Sequence, residues 1–140
     1  VEIVEVINNK DIDIVNVDED SRRVKENTLF ICIKGYTHDG HEFIPEVIEK
    51  GATAIVVSED YEPSEEYSDV VFIKVKDTVI ALAQISCTYF DNPSRKFKLI
   101  GITGTKGKTT TTYMIKSILE KAGKKVGLIG TICNIIGDKS

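Results

Sequence analysis

The chain has 140 residues and 15.5 kDa, room for one ordinary domain or for one domain plus a piece of another. Hydrophobic residues make up 41% and charged residues 29%, a globular mixture that excludes wholesale disorder. Net charge is −4 but unevenly spread, with 10 Lys/Arg against 20 Asp/Glu up to Lys96 and 8 against 2 from Phe97 onward. An acidic part joined to a basic part predicts two units, any polyanion being bound by the second.

Strand and helix patterns alternate, which predicts an α/β fold. Ile12 to Val17 alternates apolar and polar residues as a half-buried strand does, and Leu29 to Ile33 is a short β-rich run. A turn-forming stretch, Gly35 to Gly40, follows, with Gly40 after Asp39 expected at positive φ. Glu42 to Lys50 reads as a helix with Phe43, Val47, Ile44 and Ile48 inward and Gly51 as its C-cap. Ala54 to Val57 is a buried strand, Tyr61 to Asp69 an acidic solvated loop and Val70 to Val75 another strand. Asp77 caps a helix from Thr78 to about Phe90, with Ile80, Ala83, Cys87 and Phe90 on the apolar face.

The polar segment Asp91 to Lys96 breaks that helix where the charge changes sign, so the boundary between the units is expected there, at residues 1–96 and 97–140. Beyond it, Lys98 to Ile102 reads as a strand, Thr103 to Gly107 as a loop, Lys108 to Ala122 as a helix closed by Gly123, and Val126 to Gly130 as a strand. That order is the opening βαβ unit of a parallel sheet, cut short.

Cys32, Cys87 and Cys133 are far apart, lie in apolar runs and form no C-x-x-C pair, which predicts buried, reduced thiols in a cytosolic protein. No apolar stretch approaches the ~20 residues of a bilayer span. Val1-Glu2-Ile3-Val4 lacks the basic start of a signal peptide, and with no initial methionine the chain reads as a trimmed piece.

The chemistry is concentrated at Thr103-Gly104-Thr105-Lys106-Gly107-Lys108-Thr109-Thr110, between an apolar run and a helix. Gly104 and Gly107 let the backbone approach an anion closely, and the positive end of the following helix then faces the phosphates. Lys108 is placed to reach the β- and γ-phosphate oxygens, Thr109 to ligate a bridging Mg²⁺, and Lys106 adds charge at the loop tip. The spacing departs from the generic phosphate loop: the first glycine expected at Ile102 is instead Gly101 or Gly104. The bland alternative is a glycine-rich turn with an incidental Gly-Lys-Thr.

This off-register loop resembles the ATP loop of the Mur ligase family, which also includes the folylpolyglutamate synthetases. Lys125 to Ile132 resembles the strand after the first helix in the family's MurE branch, which adds meso-diaminopimelate or L-lysine to UDP-N-acetylmuramoyl-L-alanyl-D-glutamate. Asp20 to Val24, Leu29 to Gly35, Asp39 to Ile44 and the run from Gly51 to Val57 are similar to the amino-terminal UDP-binding domain shared by MurE and MurF.

The resemblance covers nearly all of this chain and about the first third of a whole ligase. It implies ATP phosphates at Gly104, Thr105, Lys106, Gly107, Lys108, Thr109 and Thr110, with Lys108 catalytic and Thr109 on Mg²⁺. It implies UDP-sugar contacts at Glu19, Ser21, Tyr36, Thr37 and His38. Glu19 departs from a frequent leucine and Lys106 from a frequent asparagine. The implied whole enzyme is a cytoplasmic ligase that activates the D-glutamate carboxylate as an acyl phosphate for attack by the incoming amine. This piece alone is expected to give no turnover, and no nucleic-acid or membrane partner is expected.

The rivals are a MurF-type ligase, a non-catalytic UDP-sugar-binding module and a generic P-loop GTPase or kinase. Locally, Ser21 could simply cap a turn and Arg22 pair with Asp18 or Asp20. His38 and His41 with Asp39 and Glu42 could suggest a metal, but no third ligand set is evident. Asp91-Asn92-Pro93 resembles a substrate-reading motif of the distant carboxy-terminal domain and here marks a linker.

Overall fold

The computed structural model describes residues 1–35 and 38–137. Tyr36 and Thr37, two of the expected UDP-sugar contacts, lie outside the described residues. The chain forms two compact units, Val1–Phe97 and Lys98–Ser140.

In the first unit the strands are β1 (Ile3–Ile7), β2 (Asn16–Asp18), β3 (Thr28–Ile31), β4 (Ala52–Ser58) and β5 (Val71–Val75). They form one sheet in the order β1-β5-β4-β3-β2, with β2 to β5 parallel and β1 antiparallel on the edge. Helix α1 (Ile44–Glu49) covers one face and α2 (Thr78–Tyr89) the other. Alternation along the strands divides the core accordingly. Phe30, Cys32, Ile55, Val57 and Phe72 pack with Ile44 and Val47 of α1, whereas Leu29, Ile31, Ala54, Val56, Val71 and Val75 pack with Ala81 of α2. Central strands covered on both faces must be apolar throughout, which is why β4 reads as an unbroken hydrophobic run.

The helix expected over Glu42 to Lys50 is a 3₁₀ turn, Gly40–Phe43, leading into α1, and Gly51 ends it at φ 97° as expected. Gly40 itself is not at positive φ; it is glycine because a Cβ there would lie 2.6 Å from the Ile33 nitrogen. Asp77 caps α2, its carboxylate accepting the Val79 and Ile80 amides. The buried side of α2 differs from expectation. Thr78 and Ala81 are buried, with Leu82 and Ile85 partly so, while Ile80, Ala83, Cys87 and Phe90 are exposed. Ala81 presents only a methyl group, so the helix backbone lies close on the sheet and turns its bulkier residues outward. Cys32 is buried as expected, but Cys87 is exposed and Cys133 half-buried.

The second unit holds α3 (Lys108–Lys121), β6 (Gly127–Ile129) and β7 (Asn134–Ile136). The strand expected over Lys98 to Ile102 is absent, because no described strand offers it a ladder of hydrogen bonds. Strand β6 pairs antiparallel with β7, which lay unremarked in the sequence. Among the described residues no helix is long and apolar enough to cross a membrane.

Candidate functional site

Parallel strands point all their carboxyl ends to one edge of the sheet, and α/β folds bind ligands there. In the first unit that edge carries the Asp18–Ser21 segment after β2, Lys34 and Asp39 after β3, and Ser58 at the end of β4. The sequence-predicted contacts Glu19, Ser21 and His38 thus emerge from adjacent strands of the same edge, Glu19 and His38 exposed and Ser21 half-buried.

Each loop is braced. The buried Asp18 carboxylate accepts the Asp20 amide at 3.0 Å and the Arg23 guanidinium at 2.8 Å. Asp20, not Ser21, caps the following 3₁₀ turn Ser21–Arg23, by accepting the Arg22 amide. Arg22 grips the same carboxylate through Nε at 2.8 Å and Nη2 at 2.7 Å, holding Asp20 well below the usual carboxylate range. Ser21 therefore has no capping duty, and its carbonyl accepts Lys50 Nζ at 2.9 Å. After β3, Lys34 bridges to Asp39 and the Gly35 amide donates to the His38 carbonyl at 2.9 Å.

In the second unit the glycine-rich loop leads into α3. Gly104 has φ 150° and Gly107, the N-cap, φ 80°, conformations that side-chain-bearing residues rarely adopt. Nothing caps the helix from its own side chains, and its first turn holds no acidic residue. The first amides of α3 are thus left for an anion. Lys108 Nζ donates back to the Gly104 carbonyl at 2.5 Å, folding the ammonium across the loop. Lys108 and Thr109 line a cleft of about 190 Å³ with Thr112, Tyr113 and the segment 128–133.

The residues present fit a nucleotide's phosphates: two permissive glycines, open amides, and cations at Lys106 and Lys108. For Mg²⁺ the fit is one hydroxyl, Thr109, with the remaining ligands left to phosphate and water. His38, His41, Asp39 and Glu42 do not converge as a metal set; among the described residues no cluster of three or more potential ligands does.

Fold and loop together define an α/β protein whose second unit carries a glycine-rich, lysine-bearing loop at the start of a helix. Residues 13–90 match the Mur ligase family, catalytic domain, and residues 102–140 the Mur ligase middle domain. The chain belongs to the Mur ligase family. More particularly, it is 56% identical over 94% of its length to the UDP-N-acetylmuramoyl-L-alanyl-D-glutamate--2,6-diaminopimelate ligase of Clostridium tetani, and 44% over 99% to the ligase of the same name from Cytophaga hutchinsonii. It spans 27% and 28% of the length of these relatives, about a quarter. Solved structures of MurF ligases are similar at 30% identity. One from Acinetobacter baumannii matches at TM-score 0.56 over 77% of this chain and 23% of that one. Another, from Thermotoga maritima in complex with ADP, matches at 0.53 over 76% and 23%.

Sequence reasoning weighed Asp18 only as a partner for Arg22, whereas it pairs with Arg23, and it overlooked Arg23, Lys50 and Ser58. Their signal is position rather than motif: Asp18 and Ser58 close β2 and β4, and Arg23 and Lys50 reach back to the segment after β2, which becomes visible only once the strands are ordered.

Proposed function

We propose that this chain is the amino-terminal portion of a cytoplasmic, ATP-dependent ligase that joins diaminopimelate to UDP-N-acetylmuramoyl-L-alanyl-D-glutamate. The observation that carries the proposal is the 56% identity over 94% of the chain to a ligase of that name. In this reading the first unit, residues 1–96, takes the UDP-sugar at the carboxyl edge of its sheet, through Glu19, Ser21, Tyr36, Thr37 and His38. The second, residues 97–140, takes ATP through the loop Gly104 to Thr110.

Chemically, a D-glutamate carboxylate oxygen attacks the γ-phosphorus, ADP departs, and an acyl phosphate forms. The amine of the incoming residue then attacks the acyl carbon, phosphate leaves with the bonding pair, and the amine gives up a proton. The part this chain plays is to hold and neutralise phosphate oxygens, with Lys108 and the first amides of α3 aimed at developing negative charge. Bound Mg²⁺ supplies further neutralisation, and Thr109 is the residue placed to hold it.

A MurF-type ligase is the second reading, favoured by the solved structures at 30% identity. The higher identity to diaminopimelate ligases supports the first. The test is calorimetric titration of the chain with UDP-N-acetylmuramoyl-L-alanyl-D-glutamate, with and without Mg-ATP. Saturable binding, lost in a Ser21→Ala, His38→Ala double variant, is expected. A folded sample that binds neither ligand overturns the assignment of both units.

A further inference from the structure

Helix α2 is apolar on two sides, and the sheet covers only one of them. None of the 12 residues Thr78–Tyr89 carries a charge. On the sheet side Thr78 and Ala81 are buried. On the outer side Ile80 is 54% exposed and Phe90, the C-cap, 62% exposed, with Ala83 and Cys87 exposed between them. A helix that is apolar all round is normally covered all round.

The spacing says what kind of surface fits. Positions 80, 83, 87 and 90 alternate steps of three and four, the pattern by which one helix packs along another. The stripe is bulky at both ends, Ile80 and Phe90, and small in the middle, Ala83 and Cys87. Laid against an identical stripe running the opposite way, Ile80 of each copy meets Phe90 of the other, and Ala83 meets Cys87. The small central layers let the two backbones approach, while a bulky pair closes each end. Laid in the same direction, Phe90 would meet Phe90 and Ala83 would meet Ala83, crowding one layer and hollowing another.

Charge selects the same direction. Asp77 and the ion pair Lys76–Glu2 lie at the start of α2, and Arg95 and the ion pair Lys96–Asp91 lie beyond its end. Each ion pair is neutral, which leaves the first end acidic and the second basic. Antiparallel packing brings the acidic end of each copy to the basic end of the other, and parallel packing opposes like charges.

We infer that the outer stripe of α2 is a docking surface for a second copy of this chain, the two helices packing antiparallel about a two-fold axis at the level of Ala83 and Cys87. The inference makes no use of the substrate assigned to either unit and is independent of both assignments. Four side chains make a small interface, so the complex is transient, with a Kd on the order of 0.1 mM.

Sedimentation equilibrium of the 140-residue chain from about 10 μM to about 1 mM brackets that value, and the mean mass should rise toward that of a dimer. Ala83→Glu keeps a good helix former at an exposed position, so the melting temperature should not change. It sets a carboxylate into both central layers, however, and should raise the Kd roughly tenfold or more. Cross-linking in a Cys133→Ser background reads the direction. A chain with Ala83→Cys and Cys87→Ser, mixed with one that keeps Cys87 and oxidised with diamide, should give the mixed disulfide, and neither chain alone should give a dimer.

A folded chain that stays monomeric at about 1 mM overturns the inference and leaves the stripe to a different occupant. Association that Ala83→Glu does not weaken puts the contact elsewhere and overturns it too. A Cys87–Cys87 link without the mixed disulfide overturns the antiparallel arrangement.

Discussion

Lys108 Nζ lies 2.5 Å from the carbonyl oxygen of Gly104, so the ammonium is already folded across the loop that it is expected to serve. One of its three donors is used there, leaving two for a phosphate oxygen. Lys108→Ala should weaken ATP binding by about 2 kcal/mol, roughly 30-fold, as loss of a charge-assisted hydrogen bond does. Isothermal titration with ATP checks this. Equal, negligible affinity in both proteins would favour a UDP-sugar module whose loop holds no nucleotide.

Gly107→Ala isolates backbone strain. A Cβ there would meet nothing within 4 Å, yet φ is 80°. The cost should be about 1 kcal/mol, felt at the start of α3 and as weaker ATP binding. Gly101→Ala, which has neither strain nor a neighbour within 4 Å, is the matched control.

Gly40→Ala tests the opposite case, an unstrained φ with no space. Its Cβ would sit 2.6 Å from the Ile33 nitrogen and 2.9 Å from the Ile33 oxygen, both backbone atoms that cannot swing aside. We expect a loss of about 3 kcal/mol and a fall of roughly 15 °C in the Tm of the first unit. A melting curve like that of the unaltered chain would contradict this close approach.

Asp77→Ala removes a carboxylate that accepts two amides at 2.9 Å at the start of α2. Thermal or denaturant unfolding should show a loss of about 1 kcal/mol.

Acid should destabilise the first unit. Asp20 is held low by the Arg22 guanidinium. For Asp39, partial burial pushes upward, but hydrogen bonds from the His41 ring and amide and the charge of Lys34 outweigh it, and the carboxyl lies below its usual value. Groups with a depressed folded pKa stabilise above the unfolded value of about 3.9, and that stability is lost as pH falls through the folded value. Urea midpoints should therefore be level above about pH 5 and fall below about pH 4, less steeply in Asp39→Asn.

Much of this protein was legible in its sequence because local chemistry carries it. Gly104, Gly107, Lys108 and Thr109 are contiguous, so a strained, cationic helix start follows from the residues alone. Asp77 and Gly51 act within a few residues of themselves, as cap and stop, and the apolar run of β4 implies cover on both faces.

Only the tertiary structure decided which side of α2 is buried, since two stripes of that helix are apolar and the sheet accepts the one with the small Ala81. It also decided that Lys98 to Ile102 forms no strand, because a strand exists only with a partner. Gly40 is glycine for the Ile33 backbone rather than for its own φ, and Ser58 reaches His41 across 17 positions of sequence. Contacts of that kind depend on which strands become neighbours, and strand order is settled by packing the whole core rather than by any local run of residues.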